Sequence, residues 1–155
     1  MIKVNVFSEE NSWNNKIKNK NSFFKNICKR FPKKYKFVNK NINFSVLLSN
    51  NKNIKKLNYR FRKKNKSTDI LSFPTNDYNK IQKKIYLGDI IISFDFINNP
   101  KNISKLEFQK KLAKIFIHGF LHLLGFDHLK DKDFKKMLIE EEKIFELVSK
   151  KIELN

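Results

Sequence analysis

Cysteine occurs once in the 155 residues, at Cys28, so no disulfide can close within the chain and a reducing, cytoplasmic setting is expected. No apolar run approaches the roughly 20 residues that cross a membrane. The opening stretch MIKVNVFSEEN lacks the apolar core and small-residue cleavage site of a signal peptide. Acidic residues are scarce: 15 stand against 34 basic ones, a formal net charge of +19. Alanine appears once, at Ala113, while lysine, asparagine, phenylalanine and isoleucine abound throughout. Histidine and glycine appear three times each, and arginine only at Arg30, Arg60 and Arg62.

These scarcities bound the answer. The length predicts a single domain over residues 1–155, and an apolar content of 40% predicts a folded core rather than disorder. The positive charge attracts polyanions, of which nucleic acid is the common one, and would make such binding sensitive to salt. A lineage-wide codon bias toward lysine would produce the same charge, so charge alone does not identify a partner. The bias is useful in another way: where a biased sequence departs from its bias, a local physical demand holds it there. Every histidine and two of the three glycines fall within HGFLHLLGFDH, residues 118–128.

Along the chain, IKVNV (2–6) alternates with period two and predicts a strand, and 14–22 is Asn/Lys-rich and predicts a loop. Phe23, Phe24, Ile27 and Phe31 fit a helical stripe that stops before Pro32. Strand 41–48 puts Ile42, Phe44, Val46 and Leu48 on one face. Ile54, Leu57 and Phe61 predict a helix over about 52–61. Loop 63–67 leads to a short strand, 69–73, and the polar stretch 75–83 to a buried strand, 86–93, in which Gly88 permits a bulge or close backbone approach. Ser104 and Glu107 form a capping box that opens a helix with Phe108, Leu112, Ile115, Phe116, Gly119 and Leu123 at helical spacing. From Ile115 to Leu124 that helix is apolar except for its histidines, which predicts a central place, and Gly125 is placed to end it as a left-handed cap. A last helix, about 133–150, turns Phe134, Met137, Leu138, Ile144, Phe145 and Val148 inward. The order β-α-β-α-β-β-α-α predicts an α+β fold, a small mixed sheet of about four strands packed by helices around the histidine helix.

His118 and His122, four apart on a helix, present both imidazoles on one face. Gly125 turns the chain, and His128 can swing back as a third ligand. Three histidines with an open fourth position suit a catalytic zinc better than a closed structural one, and no thiolate lies nearby to suggest otherwise. Asp127 fits two roles equally, partner to a ligand's second ring nitrogen or solvated turn residue. The spacing also matches the metzincin protease pattern H-E-x-x-H-x-x-G-x-x-H, except that Gly119 replaces the glutamate general base that peptide hydrolysis needs. A mid-helix glycine costs about 1 kcal/mol relative to alanine, so another element or a substrate is expected to approach the backbone there.

HGFLHLLGFDH closely resembles the H-G-x-L-H-L-x-G-Y-D-H signature of the YbeY family, bacterial zinc-dependent endoribonucleases of ribosomal RNA maturation; Phe126 stands in place of its tyrosine. LNYRFRKKNKSTDILSFP (57–74), with Phe61 for a tyrosine, resembles another family segment. LGDIIIS (87–93) resembles the family's L-G-D-I-x-I-S strand, and Met137 with Glu140 and Glu141 resembles its final helix. The resemblance covers roughly residues 54–148. It implies a mixed sheet with surrounding helices, zinc on His118, His122 and His128, and a functional arginine at Arg62 rather than Arg60. Guanidinium forks onto phosphate in a way that lysine does not match, consistent with a rare arginine kept at this point.

The implied activity is zinc-assisted hydrolysis of a phosphodiester in single-stranded RNA, with ribosomal RNA (the 3′ end of the small-subunit RNA) and the small ribosomal subunit as partners. Either water or the RNA's own 2′-hydroxyl could attack, and the product ends distinguish them. Two other classes fit the same residues: a ribosome-assembly RNA-binding factor with a structural zinc, and a metallohydrolase of another substrate such as a peptide.

Overall fold

The computed structural model describes residues 2–35, 41–75 and 84–152. Four strands form one mixed sheet in the order β1-β2-β4-β3, where β1 is Ile2–Ser8, β2 Asn41–Ser49, β3 Ile70–Pro74 and β4 Lys84–Ser93. β1 and β4 flank β2 in parallel, and β3 pairs with β4 antiparallel at the edge. Helix α3, Asn51–Arg62, lies on one face with a small core of Ile54, Leu71 and Ile91. The other face carries the main core, into which α2 (Lys20–Lys29), α5 (Lys105–Leu123) and α6 (Asp131–Ile152) pack. The expected α+β architecture is therefore present, with the histidine helix α5 against the sheet and α6 beside it.

Alternation explains the sheet. Ile42, Phe44, Val46 and Leu48 of β2 are all buried in the main core, as their period-two spacing demands. In β4 the inward residues are Ile85 and Leu87, then Ile90 and Ile92, a phase jump of one. The register supplies the extra residue: Asn43 faces Tyr86, but Ser45 faces Asp89. This bulge keeps both halves of β4 turned to the same core. It falls at Gly88, whose φ is +133°, and a Cβ there would lie 2.1 Å from the Phe73 carbonyl oxygen. Both expectations for Gly88, bulge and close backbone approach, hold together.

The structure corrects or refines several expectations. Residues 14–22 are not one loop: α1 spans Ser12–Lys16, and α2 begins at Lys20, capped by the Asn19 side chain, which accepts the Ser22 N–H at 2.9 Å. The short α1 rests on a tertiary anchor rather than periodicity. Trp13 is fully buried, edge-on to Phe94 and Phe108, and its Nε1–H donates to the Ser49 carbonyl at 3.2 Å. Phe94–Ile97 forms a further short helix, α4, and Lys33–Tyr35 a 3-10 turn. Phe61 points outward, as do Phe134 and Leu138 on α6. The inward stripe of α6 is Met137, Glu141, Ile144, Val148 and Ile152; it includes a carboxylate, so a stripe drawn through apolar residues alone is rotated off the true face. The polar stretch 75–83 lies, apart from Thr75, outside the described residues.

Candidate metal centre and its cleft

The capping box that opens α5 is complete: Ser104 Oγ accepts the Glu107 N–H at 3.2 Å, and Glu107 accepts the Ser104 N–H at 3.1 Å. The helix ends as abruptly as it begins. Gly125 has φ +86°, its N–H donates to the His122 carbonyl at 3.0 Å, and the Phe126 N–H donates to the Leu121 carbonyl at 3.1 Å. This pair of bonds is the Schellman motif, and it reverses the chain within three residues. His128 is thereby carried back over the last turn of α5, with ring centroids 5.6 Å from His118 and 5.0 Å from His122.

The three imidazoles offer ligand nitrogens that all lie within 4.8 Å of one another, so they can hold a metal ion. Two of the rings are aimed by bonds that also set their tautomers. His122 Nδ1 lies 2.9 Å from the Phe126 carbonyl, which can only accept, so that nitrogen carries the proton. His118 Nδ1 lies 3.0 Å from Glu141 Oε2 and is held the same way. The two Nε2 atoms lie 3.1 Å apart, so in the neutral rings that a metal requires their lone pairs face each other. Two facing lone pairs repel unless a cation sits between them. Two nitrogens on one tetrahedral zinc, at about 2.0 Å from it, lie roughly 3.3 Å apart, close to the observed separation. Burial, followed by the neighbouring His118, holds the His122 pKa below its usual value, which keeps that ring neutral and its lone pair available to a metal.

Asp127 takes the turn role: its Oδ1 accepts the backbone N–H of His128 at 2.7 Å. The partners of the ligand rings are instead the Phe126 carbonyl and Glu141. Sequence reasoning placed Glu141 on the final helix but gave it no role; only the packing of α6 against α5 puts its carboxylate on His118. Because His122 uses the backbone of Phe126, loss of the family's tyrosine hydroxyl does not touch this contact.

Gly119 is explained by β3 and β4. A Cβ there would lie 2.5 Å from Ile70 Cδ1, 3.0 Å from Ser72 Oγ and 3.3 Å from Ile90 Cγ2. Ser72 Oγ also donates to the Gly119 carbonyl at 3.3 Å. The position at which a metzincin carries its glutamate is thus turned into the sheet, where no carboxylate could serve a substrate.

A cleft of about 570 Å³ opens over the histidines, with Arg62 and Lys64 among its lining residues. Arg62 is the last residue of α3, and Lys63 follows with φ +58°, turning the chain at once. Asn58 Nδ2 donates to the Lys66 carbonyl at 2.8 Å and holds the ensuing loop. Arg62 Nη2 donates to the Ser72 carbonyl at 3.2 Å, and the guanidinium lies 5.8 Å from the Phe73 ring centre. Arg60 stands over the Phe61 ring instead, at 5.4 Å, and does not line the cleft. A second cavity of about 550 Å³, between α2, the start of α5 and the end of α6, has no histidine or carboxylate among the described residues that line it.

Fold and site together define a protein built around a three-histidine centre in a cleft that Arg62 and Lys64 share with Asp69 and Asp127. A family model described as Endoribonuclease YbeY matches residues 6–149, and the chain belongs to that family. The Endoribonuclease YbeY of Pelagibacter ubique (strain HTCC1062) is 60% identical over 152 residues, 98% of this chain and 99% of the relative. That of Ehrlichia canis (strain Jake) is 39% identical, over 83% of this chain and 80% of its own length. A Thermotoga maritima protein solved in solution is 28% identical and superimposes with a TM-score of 0.55, over 96% of this chain and 89% of its own.

Proposed function

We propose that this chain is a single-domain, zinc-dependent endoribonuclease that cleaves single-stranded RNA in the cytoplasm and acts on ribosomal RNA, at the 3′ end of the small-subunit RNA. The observation that carries the reading is the convergence of His118 Nε2 and His122 Nε2 at 3.1 Å beneath a cleft lined by Arg62 and Lys64. Membership of a family described by endoribonuclease activity supports it. Among the described residues, no helix is long and apolar enough to cross a membrane.

His118, His122 and His128 would hold the zinc, which when bound supplies a Lewis acid for a phosphoryl oxygen and lowers the pKa of water toward about 7. Glu141 and the Phe126 carbonyl keep the two helical rings in their ligating tautomers. Arg62 is the phosphate anchor: one of its N–H groups is spent on Ser72, which fixes the plane of the fork, and the others face the backbone of the RNA. Two carboxylates line the cleft, and each uses one oxygen locally. Asp127 caps His128, and Asp69 Oδ1 accepts from the Ile70 N–H at 2.8 Å and the Thr68 hydroxyl at 3.0 Å. Among the described residues, both carboxylates of the cleft thus have one oxygen engaged by local groups. The attacking group is water or the 2′-hydroxyl of the RNA; a 5′-phosphate with a 3′-hydroxyl marks the first, a 2′,3′-cyclic phosphate the second.

The test is cleavage of a labelled single-stranded RNA by wild type and Arg62→Ala, purified in parallel with zinc content measured. The expected result is cleavage by wild type and strong loss in a variant that keeps its metal. Equal cutting by both would remove Arg62 from the site. Chelation of zinc that leaves cleavage intact would remove the metal from the mechanism.

A further inference from the structure

The segment NKNIKKLNYRFRKKNK, residues 51–66, contains no carboxylate, and it forms α3 and the turn that lead into the cleft. At its end stands an aromatic side chain that the fold does not bury. Phe61 is 57% exposed although it is a large apolar residue next to the cleft-lining Arg62. Its ring is held rather than loose. It lies 5.1 Å from the ring of Phe73 on β3, tilted by 60°, and the Arg60 guanidinium lies 5.4 Å from its centre. Two of the chain's three arginines therefore lie on this pair of rings, Arg60 over the exposed Phe61 and Arg62 over the Phe73 that supports it.

We infer that Phe61 is a base-stacking platform for a single-stranded nucleic acid, receiving a nucleotide next to the phosphate held by Arg62; this rests on the RNA reading proposed above. The charge selects the occupant. A stretch with many cations and no anion repels a basic protein surface and attracts a phosphate backbone. The ring selects the strand state, because an unpaired base offers a π-face to an exposed ring whereas a duplex keeps its bases stacked on one another. Arg60 and Arg62 can each take a phosphate on either side of the stacked base, and an arginine beside an aromatic ring adds cation–π attraction to that ring and its base. Lysine is the prevalent cation of this chain, and it would supply the charge without the planar group.

Binding is measured by fluorescence anisotropy with a short 2′-O-methyl oligonucleotide, which binds without being cut, and with the same oligonucleotide carrying abasic sites. F61L keeps apolar bulk and removes the π-face; F61Y keeps the π-face. The expected result is an affinity loss of about tenfold or more for F61L on the normal probe, near wild-type affinity for F61Y, and little difference between wild type and F61L on the abasic probe. F61W adds a direct signal. Trp13, the chain's single tryptophan, is fully buried, so quenching on titration with the normal probe reports position 61. Unchanged affinity of F61L, with an unchanged thermal midpoint, would overturn the platform and leave the proposed function standing. A wild type that binds neither probe would overturn the RNA reading itself.

Discussion

Glu141 is the residue whose importance its sequence neighbourhood conceals. It is one of three successive glutamates, and the only one that α6 turns inward among apolar neighbours, onto His118. A carboxylate on the far nitrogen of a ligating imidazole fixes the ring and raises its basicity. On the zinc site proposed above, Glu141→Gln should therefore lower zinc affinity about tenfold or more while leaving the fold intact, as read by competition with a chromogenic chelator. Gly119 is a second residue decided by its surroundings. Alanine there would gain about 1 kcal/mol of helix propensity. It would also force Ile70 aside and press on Ser72 and Ile90, and overpacking of this kind costs about 1–3 kcal/mol. Gly119→Ala should therefore fall short, in urea unfolding, of the stabilisation expected for an exposed helical glycine. The sequence announced that something approaches Gly119, because a helix keeps such a residue at a cost, but not what approaches it. Only the position of β3 says that.

At the scale of elements, α6 is tied to the rest of the molecule at two adjacent residues. Glu141 reaches α5, and Glu140 reaches back to the 3-10 turn, accepting from Tyr35 Oη at 2.7 Å and Lys34 Nζ at 2.5 Å. Partial burial pushes the Glu140 carboxyl pKa up, but the bonds from Lys34 and Tyr35 outweigh it and hold the pKa below the usual glutamate value. A carboxyl whose pKa is depressed on folding contributes stability above its unfolded pKa, and that contribution is lost as pH falls through the folded value. The urea midpoint should drop as pH is lowered below about 4.5, and Glu140→Gln should remove part of that drop. Elements with strong periodicity, such as β2 and α5, were legible from spacing alone. The short α1 was not, because its one anchor, Trp13, is held by partners far away in sequence.

For the whole molecule the open matter is charge. If the net charge of +19 were only compositional, removing any two lysines would affect RNA binding alike. If α3 forms one wall of the path into the cleft, its cations count for more. Contact with roughly four phosphates, at about −0.7 each, gives a slope near −3 in log affinity against log salt, so a fourfold rise in salt weakens binding about fifty-fold. Replacing Lys55 and Lys56 on α3 by glutamine should flatten that slope by one to two contacts' worth. Replacing Lys143 and Lys150 on α6, an equal change in net charge, should leave it nearly unchanged. Equal effects from the two pairs would assign the charge to composition.

The sequence by itself determined the fold class, the two-histidine face of α5 and the glycine turn that returns His128. Each of these rests on local spacing or on a motif carried within a few dozen residues. Tertiary structure alone decided that Glu141 holds His118, that Gly119 lies against β3, that Arg62 is braced by the Ser72 carbonyl, and that Phe61 stays exposed. Those contacts join residues through the relative placement of packed helices and strands, and helical or strand periodicity records which face is buried but not which partner covers it.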